Sequence, residues 1–97
     1  MRLTKSEKKI IHDTAMEMFG PRTKIFLYGS RADDSSKGGD IDLYVEAERN
    51  VDLNDKINFV ARLKWLLGDQ KIDVILQGTG RIEKPIHRKA KETGVPI

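Results

Sequence analysis

The strongest constraint on the fold lies in residues 24–45, KIFLYGSRADDSSKGGDIDLYV. The pattern predicts two apolar strands joined through a Gly-Ser turn and a polar loop, with the second strand starting at Asp40. Side chains along a strand alternate between its two faces, so Asp40 and Asp42 point to the same side, about 7 Å apart. The apolar residues next to them, Ile41 and Leu43, point to the other side. One face is therefore expected to form core and the other to carry charge.

The carboxylates of Asp40 and Asp42 on the charged face are expected to repel each other. Two carboxylates about 7 Å apart repel by roughly 2 kcal/mol at an effective protein dielectric of about 20, which makes a divalent cation a natural partner. Gly29 allows the backbone to approach a ligand closely, and Ser30 offers its hydroxyl and nearby N–H groups to an anion. A metal site facing a phosphate site is one hypothesis. The alternative is that this short Asp-rich stretch is a solvated turn.

Three features of the sequence form one larger pattern: a Gly-Ser pair, an Asp-x-Asp pair separated from it by nine residues, and a third aspartate on a later predicted strand. These residues are Gly29, Ser30, Asp40, Asp42 and Asp73. Together they resemble the signature of the DNA polymerase beta superfamily of nucleotidyltransferases. Within it, GSRA followed by DIDLYV is most similar to the minimal nucleotidyltransferases (MNT), which are often paired with HEPN-domain proteins in toxin–antitoxin modules. The resemblance extends from Ile25 to the last predicted helix, and Asp33 departs from the small residue usual in the family.

The rest of the chain fits an α/β (α+β) class. Helices are predicted over residues 4–19, 53–67 and 81–93, and strands over residues 23–28, 40–45 and 71–76. A crossover through the middle helix would most simply make the second and third strands parallel. We therefore expect a small mixed sheet of about three strands flanked by helices, in a single domain spanning residues 1–97. The resemblance implies the nucleotidyltransferase fold.

The helices predicted over residues 4–19 and 53–67 both begin with residues that are typical of an N-cap. Thr4 with Glu7 predicts a capping box, and Asp52 is a good N-cap with Asp55 at the third helical position. The second helix has apolar residues at helical spacing, as expected of a helix that covers a sheet: Leu53, Ile57, Val60, Leu63 and Leu67. Trp65, near its end, is expected to pack at the edge of the core rather than to serve as a base-stacking platform.

The resemblance implies a Mg²⁺-dependent transfer of a nucleoside monophosphate from an NTP, with ATP as the expected donor, to a hydroxyl acceptor. Asp40 and Asp42 would hold two Mg²⁺ ions, and Asp73 would complete the shell of one of them or take the acceptor's proton. Ser30 and its neighbouring N–H groups would cradle the β- and γ-phosphates, with Gly29 providing close access.

Two candidate residues have a structural alternative. Arg31 would neutralise the leaving pyrophosphate, or would form a salt bridge with Asp33 or Asp34. Asp73 stands in a short apolar strand, where a carboxylate is costly to bury unless it is paired or binds a ligand. Its alternative is an aspartate near a strand end that water or Lys71 satisfies.

The acceptor is expected to come from a partner, since nothing in the sequence resembles a second domain. The MNT resemblance implies a HEPN-type protein whose hydroxyl, typically of a tyrosine, is adenylylated, or a complex in which this chain is the antitoxin. Small-molecule modification and tRNA-end addition remain open for the superfamily. Two other classes are a non-catalytic module that masks a toxin and a small RNA-binding protein, whose binding would weaken steeply with salt.

Composition narrows these classes. Lys and Arg exceed Asp and Glu by 18 − 15 = +3, a mild excess that permits a nucleic-acid partner without favouring one. The absence of cysteine excludes disulfides and thiolate metal sites. No apolar run has the length of a signal peptide or of a membrane span, so a cytoplasmic location is expected. A domain of 97 residues is also too small to enclose a large active site, and the substrate must come to an open face.

Overall fold

Three helices and four strands make up the part of the chain that the structure, a computed structural model, describes: residues 3–28, 41–68, 70–79 and 85–97. In chain order they are α1 (Lys5–Phe19), β1 (Lys24–Tyr28), β2 (Ile41–Glu46), α2 (Leu53–Leu67), β3 (Ile72–Gln77), α3 (Pro85–Thr93) and β4 (Val95–Pro96). The predicted fold class, a small mixed sheet with flanking helices, is confirmed. The start of the predicted last helix falls in residues 81–84, outside the described residues. None of the described helices is long and apolar enough to span a membrane.

The sheet has the strand order β3-β2-β1-β4. β2 and β3 are parallel, as the crossover through α2 predicts, and β1 is antiparallel to both β2 and β4. The fourth strand was not predicted, because two residues that include a proline carry no alternating pattern. Pro96 is tolerated there because β4 lies at the edge of the sheet, where one side of the strand needs no hydrogen-bond donor.

One hydrophobic core joins α1, α2 and a single face of the sheet. On β2 the core residues alternate as predicted, with Ile41, Leu43 and Val45 all fully buried. From the helices, Phe19 and Phe59 meet edge to face, with ring centroids 5.2 Å apart and an interplanar angle of 61°. The other face of the sheet carries polar side chains together with an aromatic pair, Phe26 and fully buried Tyr44, whose ring centroids lie 6.0 Å apart.

Both predicted helix starts are confirmed as complete capping boxes. Thr4 Oγ1 accepts from the Glu7 N–H at 3.1 Å, and Asp52 Oδ1 accepts from the Asp55 N–H at 2.9 Å. In both boxes the acidic side chain at the third helical position accepts a hydrogen bond from the backbone N–H of the N-cap residue. Each helix is followed by a glycine with positive φ, a conformation that side chains disfavour. These glycines are Gly20, with φ 114°, and Gly68, with φ 92°.

The orientation of α2 differs from the predicted one. Phe59 and Leu63 are fully buried, whereas Leu53 is 69% and Ile57 is 54% exposed. Trp65 is 86% exposed, so the prediction that it packs at the edge of the core is wrong. Leu53 and Ile57 lie at the outer edge of β3, the outermost strand, where no described strand lies beneath them. Trp65 follows the buried Leu63 by two residues, about 200° around the helix, and therefore points away from the core.

Candidate functional site

Three polar side chains stand in one row across the sheet. Asp42 on β2 is the register partner of Asp73 on β3 and, on its other side, of Tyr28 on β1. Adjacent strands are about 4.8 Å apart, and residues at one register position project to the same face. The row Tyr28–Asp42–Asp73 therefore lies on the face of the sheet opposite the hydrophobic core.

The sequence holds this row in place through its apolar neighbours. Ile41 and Leu43 are fully buried on either side of Asp42, and Ile72 and Val74 are buried on either side of Asp73. A slip of one residue in either strand would move the aspartate into the core, so the strand register is strongly specified. Asp73 itself is exposed, which removes the burial cost that its place in an apolar strand suggested.

The two carboxylates act together on the phenol of Tyr28. Burial raises the pKa of the Tyr28 hydroxyl above its ordinary value, and the negative charges of Asp42 and Asp73 raise this pKa further. Both carboxylates therefore lie close enough to the half-buried Tyr28 phenol to oppose its ionisation. The sequence signal for Tyr28 was the alternation in β1, where Ile25 and Leu27 face the core. Its relation to the aspartates depends on the strand register.

We expect the Tyr28 pKa to fall when the carboxylates are neutralised. In metal-free protein, Asp42→Asn should lower this pKa more than Asp73→Asn does, since the Asp42 charge has the larger effect. Burial remains in both variants, so the pKa should stay above its ordinary value. NMR of protein labelled at the tyrosine ring carbons, with Tyr28→Phe for assignment, measures the titration. An unchanged Tyr28 pKa in both variants would contradict the geometry of the row.

Four predicted site residues lie outside the described residues: Gly29, Ser30, Arg31 and Asp40. The strand ends that flank them are described. β1 ends at Tyr28 and β2 begins at Ile41, and the pairing of Tyr28 with Asp42 holds these two ends side by side. Of the five residues in the Gly-Ser and aspartate pattern, the structure therefore brings together two, Asp42 and Asp73.

The donor set of the row fits a divalent cation. Carboxylate oxygens are the ligands that Mg²⁺ prefers, and two carboxylates from adjacent strands converge on a face without the hydrophobic core. Among the described residues, no group of three or more acidic, histidine or cysteine side chains is assembled to hold a metal. Asp42 and Asp73 are two of the three carboxylates that the sequence predicts to bind metal, and the third is Asp40.

A family model described as Polymerase beta, Nucleotidyltransferase matches residues 9–97 of the chain. The chain belongs to that family. Its class of activity is accordingly that of a transferase, with nucleotidyl transfer as the general reaction. No curated protein matches the sequence at a significant level.

The polymerase beta family match covers every strand and all but the first turn of α1. The predicted superfamily is thus confirmed over nearly the whole chain. The match does not distinguish the narrower MNT group, the donor nucleotide or the partner, which belong to the proposal below.

Proposed function

We propose that this polymerase beta family nucleotidyltransferase depends on Mg²⁺ and transfers AMP from ATP to a hydroxyl group of a partner protein. The observation that carries the proposal is the pairing of Asp42 with Asp73 at one register position on adjacent strands. Two like charges at this distance repel, and a cation between them turns the repulsion into attraction. Asp40, two residues before Asp42 in the sequence, completes the proposed set of three carboxylates.

The three carboxylates have different roles in the proposed reaction. Asp40 and Asp42 would hold two Mg²⁺ ions, while Asp73 would complete the shell of one ion or accept the proton of the attacking hydroxyl. Bound metal supplies charge neutralisation at the phosphates and lowers the pKa of the acceptor hydroxyl. The acceptor oxygen forms a bond to the α-phosphorus, the bond from that phosphorus to the bridging oxygen breaks, and pyrophosphate leaves. The proton of the acceptor hydroxyl would pass to Asp73, or to solvent where Asp73 completes the metal shell instead.

The phosphates would be bound by the Gly-Ser turn after β1. Ser30 and its neighbouring N–H groups would cradle the β- and γ-phosphates, and Gly29 would let the backbone approach them. Arg31 would neutralise the pyrophosphate as it leaves. This assignment is supported by the position of the turn in the sequence, directly after Tyr28, which pairs with Asp42.

A protein acceptor is favoured by the exposure of Asp73. This aspartate lies on the outermost strand of the sheet and is exposed, so the hydroxyl of a large molecule can approach it. We infer a partner of the HEPN type, with a tyrosine hydroxyl as acceptor and this chain as the antitoxin of the pair. The similarity of GSRA and DIDLYV to the MNT proteins supports this choice.

The proposed function is tested by asking which phosphate of ATP is transferred to the acceptor. Purified protein is incubated with Mg²⁺, host lysate and ATP labelled at either the α- or the γ-phosphate. We expect a protein band that is labelled only from the α-phosphate, resists ribonuclease and disappears with EDTA. The same band should be absent with an Asp40→Asn/Asp42→Asn variant and present with Asp13→Asn, a control at an exposed aspartate of α1.

Two outcomes would overturn the proposal. Label from the γ-phosphate would indicate phosphoryl transfer instead. A partner that co-purifies equally with the wild type and the double variant, without any labelled band, would favour a module that masks a toxin by binding alone.

A further inference from the structure

A groove of about 520 Å³ runs between α2 and the outer edge of β3. Its floor is the edge of the sheet, from Ile72 to Ile75, and its wall is the face of α2 that contains Leu53, Ile57 and Val60. β3 is the last strand in the order β3-β2-β1-β4, and no described strand pairs with its outer side. The groove therefore combines an open strand edge with an apolar helix face.

The backbone of β3 offers hydrogen-bonding groups to this groove. The Ile41 N–H donates to the Lys71 carbonyl at 3.0 Å, and the Ala47 N–H donates to the Gln77 carbonyl at 2.8 Å. In a parallel ladder only alternate residues bond to a given neighbour, so the odd-numbered residues of β3 bond to β2. The even-numbered residues direct their N–H and C=O groups to the open edge: Ile72, Val74 and Leu76. An edge of this kind is a template for another strand.

The helix wall adds an exposed apolar stripe. Leu53, Ile57, Ala61 and Trp65 follow one another at intervals of four residues, which places them along one side of α2. All four are exposed, and the large ones rank among the most exposed hydrophobic side chains described. Exposed apolar surface next to an open strand edge is typical of a protein-binding site rather than of a solvated helix face.

The charges of the groove indicate the sign of its occupant. Lys56 and Lys64 both line it, and within the described part of the chain neither ammonium group has an ion-pair partner. The acidic residue among the described lining is Asp73, where the groove meets the carboxylate row. A second copy of the chain fits poorly, because antiparallel pairing of two β3 strands would bring Lys56 of one copy towards Lys64 of the other.

We propose that this groove binds an extended segment of a protein partner, which adds to β3 as a strand. Through every second residue, the side that faces α2, the segment presents apolar side chains to Leu53 and Ile57 and acidic side chains to Lys56 and Lys64. Main-chain hydrogen bonds to β3 supply much of the affinity, and the side chains supply the selectivity. Asp73 lines the groove, so a docked segment would lie beside the proposed catalytic row. That last point alone rests on the proposed function, since binding requires no transfer.

The probe for this proposal is a short synthetic peptide, the valine–glutamate peptide, in which every second residue is alternately valine and glutamate and the residues between them are threonine. Added to nitrogen-labelled protein without nucleotide or metal, it should shift the amide resonances of Ile72, Val74 and Leu76. Their hydrogen exchange should slow by about tenfold as the new strand protects them. The valine–lysine peptide, in which lysine replaces each glutamate, should bind at least about tenfold more weakly, and so should a valine–glutamate peptide with N-methylated backbone amides.

Matched charge reversals test whether the peptide binds in the groove or is attracted only by the net charge of the protein. Lys56→Glu/Lys64→Glu should weaken binding of the valine–glutamate peptide by about tenfold or more. Lys5→Glu/Lys8→Glu, with the same change of net charge on α1, should leave it unchanged. All four lysines lie on helix surfaces, and circular dichroism checks that both variants fold. Asp42→Asn should bind the peptide like the wild type, so a failure of catalysis and a failure of docking are distinguishable.

Three results would overturn the docking proposal. The first is binding of the valine–lysine peptide as tight as that of the valine–glutamate peptide. The second is an absence of shifts along β3 at saturating peptide. The third is a concentration-dependent dimer that protects the same β3 amides without any peptide, which would make a second copy the occupant.

Discussion

Asp42→Asn should lower nucleotidyl transfer by roughly 10³-fold or more while the fold is retained. Metal ions at such sites contribute several kcal/mol to transition-state stabilisation, and each 1.36 kcal/mol corresponds to about a factor of ten in rate. Asparagine keeps the shape of the side chain but removes the charge on which the proposed metal binding depends. The fold should survive, because Asp42 lies on the face opposite the core and its replacement also removes a repulsion with Asp73.

The measurement is a transfer rate with α-labelled ATP, made beside a thermal melt of the same preparation. A cooperative thermal transition close to that of the wild type is expected for Asp42→Asn. Asp13→Asn, the control on α1, should keep full activity. If Asp42→Asn retained activity within about tenfold of the wild type, the carboxylate row would not be the catalytic site.

The position of the carboxylates could be predicted from the sequence because it follows from local alternation. Asp42 stands between Ile41 and Leu43, and Asp73 stands between Ile72 and Val74. Each apolar pair must face the core, so each aspartate must face away from it. That reasoning predicts the face of the sheet, and the parallel crossover predicts that the two strands are neighbours.

The strand register could not be predicted in the same way. It depends on how α2 and its flanking loops set the offset between β2 and β3, which is a property of tertiary packing. A shift by two residues would preserve every apolar contact pattern yet place Asp42 opposite Ile75 instead of Asp73. The short strand β4 was missed for a related reason, since it forms only because the edge of β1 is available to Val95 and Pro96.

The side of α2 that faces the core also escaped prediction. The apolar residues of this helix extend around more than one face, and helical spacing alone does not say which of them the sheet will cover. Packing against α1 and the sheet selects Phe59 and Leu63, which leaves Leu53, Ile57 and Trp65 in solvent. An exposed apolar surface is unfavourable without a partner. The apolar residues of α2 that the core does not cover therefore indicate a binding surface.

The largest stability effect is expected for Phe59→Ala. Phe59 is fully buried and meets Phe19 edge to face at 5.2 Å, so its truncation removes apolar contacts and leaves a cavity between α1 and α2. Such changes cost about 3–5 kcal/mol, a large part of the 5–15 kcal/mol that usually stabilises a domain. The melting temperature should fall by about 15–30 °C, since each kcal/mol corresponds to roughly 4–8 °C at this size.

Trp65→Ala on the same helix is the matched control. Trp65 is 86% exposed, so its removal should change the free energy of unfolding by no more than about 0.5 kcal/mol. The chain has one tryptophan, and circular dichroism during urea unfolding therefore replaces tryptophan fluorescence as the common probe for both variants. A loss of several kcal/mol in Trp65→Ala would place this side chain in the core, and would remove it from the apolar stripe beside the proposed docking groove.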